Sequence, residues 1–183
     1  MCTDKQFFND VEKGKFAEEQ FEKLSKCLGI NVDDVRMDKD FMAIDVDYLC
    51  WKNDVNNKTK VEIKLDSAFG NYKPDKQRFF IEDISTVSIN SDGWYRYCKS
   101  DILFVYDYIN SMFYAFKMCD LREYINYYFI DRDNRCNRVI DVFITKDNGQ
   151  SSRGYGVYIQ LFYKWLNDGN RFNKTYCMSK YVD

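Results

Sequence analysis

The chain has 183 residues, the length of one domain, and its 45% hydrophobic and 31% charged residues read as a soluble globular protein. It contains no His, which removes Ser-His-Asp and Cys-His nucleophile pairs, HExxH metalloproteases and Cys/His zinc sites. Its 27 Lys and Arg nearly balance 29 Asp and Glu, so binding to nucleic acid cannot rest on overall charge and needs a local basic patch.

The first ten residues, MCTDKQFFND, lack a basic stretch followed by an apolar run, so no signal peptide is expected. Residues 5–28 read as an amphipathic helix, with Phe8, Val11, Phe16, Phe21, Leu24 and Leu28 as its stripe and Gly29 as its stop. Residues 41–51 and 59–66 read as strands, joined by the polar, Asn-rich segment 52–58. Gly70, Asn71 and Pro74 mark 67–78 as a loop, and 79–84 reads as a third strand. Residues 102–108 and 112–118 read as a strand pair turning at Asn110-Ser111. Asp107, Asn110, Ser111 and Lys117 interrupt this stretch too often for a membrane span. Residues 120–129 suit a short helix, 139–145 and 155–161 extended segments, and 161–167 a last helix. This order predicts an α/β (α+β) class in one domain, 1–183, with a core over about 5–130 and a C-terminal extension over about 131–183. The seven Cys are odd in number, widely spaced and free of CxxC, which predicts reduced thiols in a cytoplasmic protein and no zinc site.

Side chains alternate along a strand, so Asp45 and Asp47 are expected on one face of the first strand, and Glu62, Lys64 and Asp66 on one face of the second. A hairpin would bring these faces together. Two carboxylates and a backbone carbonyl suit a hard cation such as Mg²⁺ (or Mn²⁺), and a neighbouring Lys can orient an attacking water. A Glu-x-Lys on an exposed strand is more often a pair of solubilising charges. The hydrophobic flanks and the aspartate fifteen residues upstream set this one apart. Lys58, Lys60, Lys73, Lys76 and Arg78 cluster nearby in sequence and can contact phosphates. Tyr72, Trp94, Tyr95 and Tyr97 can stack bases, though most of the aromatics belong to packing.

The run Asp45-Val46-Asp47-Tyr48-Leu49 followed by Val61-Glu62-Ile63-Lys64 resembles the PD-(D/E)XK nuclease superfamily, of restriction-endonuclease-like and Holliday-junction-resolvase-like fold. The resemblance implies a central mixed β-sheet flanked by helices. It puts metal ligands at Asp47, Glu62 and the Ile63 carbonyl, and the water-assisting lysine at Lys64. The stretch Gly14 to Phe21 is similar to the N-terminal helix that carries an extra active-site glutamate, here Glu18, with Glu19 as the alternative. Phe79-Phe80-Ile81-Glu82, Gly93-Trp94 and Lys99-Ser100-Asp101 resemble small nuclease-like proteins of bacteria and phages. Val46 stands where the family has Pro, which leaves Asp45 and Asp47 both open. Asp47 is preferred because it directly precedes Tyr48-Leu49. The Gln-xxx-Tyr motif of some exonuclease branches is not found.

The resemblance thus implies a Mg²⁺-dependent nuclease acting on DNA in the cytoplasm, away from membranes, with Lys60, Lys73, Lys76 and Arg78 as the nucleic-acid contacts. A homodimer is a further expectation, since many members of that superfamily work as dimers. Two alternatives stand beside it: a catalytically silent nucleic-acid- or protein-binding module on the same fold, and a mobile-element effector aimed at a host protein.

Overall fold

A computed structural model describes residues 4–66, 73, 76–130, 140–147, 150–169 and 179–180. Helix α1 spans Asp4–Cys27. It stops where Gly29 takes φ +63, a left-handed conformation that glycine adopts without a Cβ penalty. Its buried seam is Ala17, Gln20, Phe21, Leu24 and Ser25. Val11, Phe16 and Leu28 of the expected stripe stay exposed, so the seam runs closer to the middle of the helix than the Phe pattern suggests. The Phe8 side chain lies outside what is described.

Six strands form the central sheet: β1 (Asn31–Asp34), β2 (Tyr48–Trp51), β3 (Thr59–Asp66), β6 (Ile102–Asp107), β7 (Met112–Lys117) and β10 (Ser179–Lys180), in that order. The β3–β6 pair is parallel and the others are antiparallel, so the sheet is mixed and helices flank it. The expected strand over 41–51 is correct only from Tyr48. Before it lies a one-turn helix, α2 (Lys39–Met42), whose N-cap Asp38 accepts the Asp40 N–H. Asp45 then adopts φ 53. The cap and a left-handed turn, which Asp tolerates better than most residues, override the apolar alternation of 41–46. Asp45 and Asp47 therefore do not share a strand face.

Four further strands make a second, antiparallel sheet, ordered β5 (Ser91–Asp92), β4 (Arg78–Thr86), β9 (Gln150–Tyr158), β8 (Ile140–Asp147). The expected third strand is β4, but it belongs to this second sheet. Residues 67–72 and 74–75 of the expected loop lie outside the described residues. The helices α3 (Trp94–Tyr97), α4 (Met118–Ile125, continued by a π-turn over Asn126–Ile130) and α5 (Ile159–Asp168) complete the fold. Among the described residues no helix is long and apolar enough to cross a membrane.

The central sheet packs a hydrophobic cluster on each face. On one, Phe21 and Leu24 of α1 pack on Tyr48, Val61, Ile63, Tyr106 and Phe113. On the other, Leu103, Val105, Tyr114 and Phe116 meet Phe79, Ile81, Val157, Leu121, Tyr124, Phe162 and Leu166. Strand β9 and helix α5 are thus part of the larger core. Aromatics fill it, as in the 4.5 Å stack of Phe79 on Phe116 and the Phe162 contacts to Phe116 and Tyr124. Each fully buried ring contributes about 1.5–3 kcal/mol. Asp83 of β4 binds Arg96 of α3 and Arg153 of β9, which ties the second sheet to the helix that leads back into the first. Burial pushes the Asp83 carboxyl up, but the two guanidinium groups outweigh it and hold it below its ordinary value.

Candidate active site

Alternation along β3 places Val61, Ile63 and Leu65 toward α1, which leaves Glu62 and Lys64 on the opposite face. Pairing of Tyr48 with Val61 sets Asp47 across from Glu62. The Asp47 N–H donates to the Val61 carbonyl at 2.9 Å, and its Oδ2 accepts the Ile63 N–H at 2.8 Å. Glu62 is 2% exposed. Its Oε1 accepts from Lys64 Nζ at 2.5 Å, while its Oε2 is buried without a hydrogen-bond partner. Lys64 also donates to Asp45 Oδ1 at 3.3 Å. Asp45 Oδ2 lies 3.1 Å from the same Nζ, within ion-pair distance but out of line for a hydrogen bond. The ammonium sits 5.3 Å from the centre of the Trp94 ring.

The segment around Gly93-Trp94 and Ser100-Asp101 clamps this arrangement. Gly93 lies so close to β4 that a Cβ there would come within 2.4 Å of the Glu82 carbonyl oxygen. Its N–H donates to the Asp83 carbonyl at 2.8 Å. Further on, the Lys99 N–H donates to the Ile44 carbonyl, and the Cys98 thiol donates to the Asp45 carbonyl. Asp101 exchanges two 2.8 Å bonds with the Lys60 backbone. The left-handed turn at Asp45 and the start of β3 are therefore held by one short stretch.

Burial pushes the Glu62 carboxyl up to about 9. Lys64 opposes this shift, and the charges of Asp47 and Asp45 add to it. Burial also raises Asp47, against its Ile63 N–H bond and Lys64. The Lys64 ammonium would be weakened by burial, but Glu62 and Asp45 outweigh that and hold it above its ordinary value. The unpartnered Oε2 thus has two ways to be satisfied, a proton or a cation.

Glu18 projects from α1 toward the same end of the sheet, where the charge of Asp47 acts on it. Its pKa is raised, first by burial, with Arg36 opposing. The Arg36 guanidinium binds Glu18 and grips Asp34 at 2.9 and 2.6 Å. It also lies 5.0 Å from the centre of the Tyr48 ring, whose hydroxyl donates to Glu22. Glu19 is exposed. Arg36 is missing from the sequence reading. Its local pairing with Asp34 two residues back was a readable signal, but its pairing with α1 was not.

Of the basic residues, Lys60 shares the face of Glu62 and Lys64 by alternation. Lys73 and Lys76 are exposed. Arg78 donates to the Tyr158 hydroxyl at 3.1 Å, and Lys58 pairs with Asp33 at 2.5 Å. Two of the five are thus engaged by the protein itself. Glu82, read only as part of a motif, lines a cleft of about 320 Å³ beside Lys64, with Asp66, Phe80, Trp94 and Val105.

Among the described residues no three His, Cys, Asp or Glu side chains converge as a metal cluster. The protein's share of a cation site would be the paired carboxylates of Asp47 and Glu62 and the Ile63 carbonyl. That all-oxygen set suits a cation that keeps several waters. The orphaned Glu62 Oε2 is the observation that fits such an ion.

No protein-family model matches the chain, and no curated protein does. Among solved structures it is similar to a bacterial homing endonuclease, at 16% identity and a TM-score of 0.42, over 90% of this chain and 98% of that one.

Proposed function

We propose that this protein is a Mg²⁺- or Mn²⁺-dependent nuclease that hydrolyses phosphodiester bonds in DNA. The observation that carries the reading is Glu62. It is a carboxylate buried to 2% exposure, facing a second carboxylate, bonded to a lysine through one oxygen and left without a partner on the other. Such a group is costly to keep in a fold for structural reasons alone.

Asp47 and Glu62, with the Ile63 carbonyl, would hold the cation. The bound ion would supply positive charge that acidifies a water and offsets charge on the phosphate. Lys64 has its ammonium already poised between Glu62 and Asp45, and it donates to the attacking water or to a phosphate oxygen. Glu18 supports Asp47 from the helix side, under the restraint of Arg36. Lys60, Lys73, Lys76 and Arg78 serve the nucleic-acid backbone.

The test is cleavage of supercoiled plasmid and of single-stranded DNA in Mg²⁺, Mn²⁺ or EDTA, beside Glu62→Gln and Lys64→Ala. Metal-dependent cleavage lost in both folded variants is the expected result. Cleavage that persists in both, or that is indifferent to EDTA, defeats the assignment. Metal-independent DNA binding without cleavage moves the protein to the silent-module reading.

A further inference from the structure

The cleft beside Lys64 is small and has two kinds of wall. Phe80 and Trp94 give it apolar surface, and Lys64, Asp66 and Glu82 give it polar groups. Its volume, about 320 Å³, is at the low end of small-molecule sites, which run from about 300 to 1,000 Å³. One base with its sugar suits that space. A base stacked and paired inside a duplex presents only its edges, so its ring faces cannot enter.

The walls are fixed in place. Gly93 is anchored against β4 and sets the position of Trp94. Across the cleft, a Cβ on Gly154 would lie 2.7 Å from the Phe80 ring and 2.1 Å from the Ile81 carbonyl oxygen. The bare backbone there leaves room for that ring. Tyr95 is directed elsewhere, edge-on to Tyr155 and beneath Arg122.

We propose that this cleft takes one unpaired nucleotide of a DNA strand, its base between Phe80 and Trp94 and its phosphate at Lys64, which makes single-stranded or locally unpaired DNA the preferred substrate. The inference deepens the nuclease reading and rests on it. Aromatic side chains stack on any base, so the preference is for unpaired structure and not for sequence.

The test measures binding apart from cleavage. Glu62→Gln protein in Mg²⁺ is titrated, by fluorescence anisotropy, against a labelled single strand, the same sequence as a perfect duplex, and that duplex with one unpaired nucleotide. The single strand and the interrupted duplex should bind roughly tenfold or more tighter than the perfect duplex. Phe80→Leu, added to this background, should lose roughly tenfold on the first two and nothing on the third. Trp94 contributes to the core, so Trp94→Phe is the safer second variant, and it should keep most of the preference. Equal affinity for all three DNAs, or a Phe80→Leu loss shared equally by all three, overturns the inference. Wild-type cleavage is scored separately. Preference without cleavage removes the nuclease reading alone, and cleavage without preference removes the unpaired-nucleotide reading alone.

Discussion

Glu62→Gln exchanges an ionisable carboxyl for a neutral amide of nearly the same shape, and so copies the protonated side chain. The Glu62 carboxyl has an ordinary value of 4.5 and is pushed up to about 9 in the fold. Between those values the native protein holds a proton that the unfolded chain has released. The stability tied to this group is therefore complete below pH 4.5 and falls as pH rises toward 9. The full span corresponds to about 6 kcal/mol, and the part lost by pH 7 to about 3 kcal/mol. Glu62 is 2% exposed, so solvent does little to reduce these figures. The Gln variant should match the wild type near pH 5 and exceed it increasingly above. For a domain of this size the gap at pH 7 corresponds to a melting temperature higher by about 6–12 °C. Thermal or urea melts of both proteins at pH 5, 7 and 9 in EDTA measure this directly. A gap that stays constant with pH, or a wild type more stable than the variant at pH 9, refutes the reasoning. Adding Mg²⁺ at a hundred times its Kd should stabilise the wild type by about 3 kcal/mol and the variant hardly at all. At one fixed Mg²⁺ concentration the wild-type gain should grow with pH, because the proton must leave before the ion can bind.

Phe162→Ala removes a ring with no exposure from the larger core and should cost about 3–5 kcal/mol in urea unfolding. A loss under 1 kcal/mol would show that α5 is not part of that core. Gly93→Ala drives a Cβ to 2.4 Å from a backbone oxygen and should destabilise by about 1–3 kcal/mol, with a shift in Trp94 fluorescence. An unchanged melt and spectrum would contradict the close approach. Asp83→Asn leaves Arg96 and Arg153 without their shared carboxylate. Both arginines are part-exposed and can rehydrate, so the cost should be about 2 kcal/mol at pH 7. Because the folded Asp83 value is depressed, this difference should shrink as pH falls through it and vanish in acid. A difference unchanged down to pH 2 would refute the ion-pair account.

What the sequence disclosed depended on how local the determining contacts are. Strand β3 was readable to the residue, because Val61, Ile63 and Leu65 alternate with Glu62 and Lys64 and polar segments bound both ends. The same alternation predicted that Glu62 and Lys64 share a face. It misled over 41–46, where FMAIDV looks extended. The Asp38 cap and the positive φ of Asp45 are short-range devices that the apolar pattern conceals. The second sheet was out of reach for the opposite reason. Strand β4 pairs with β9 through matches such as Phe80 with Gly156, and nothing local in either segment names the other. Glu18 could be chosen over Glu19 only weakly from sequence, whereas helix phase leaves Glu19 exposed and binds Glu18 to Arg36.

The pairing of β4 with β9 also sets an order of assembly. Asp83 and Arg153 bond across a separation of 70 residues. At synthesis rates of 5–20 residues per second, roughly 4–14 s pass between the emergence of one and of the other. During that interval β4 has, among the described residues, the two-residue β5 to pair with, and Phe79 and Ile81 lack the cover of Val157 and Phe162. The nascent chain thus carries its charged pair on β3 early and gains the backing of its aromatic wall late. A folding helper that binds exposed apolar strands would have its window there, before the cleft exists to hold anything.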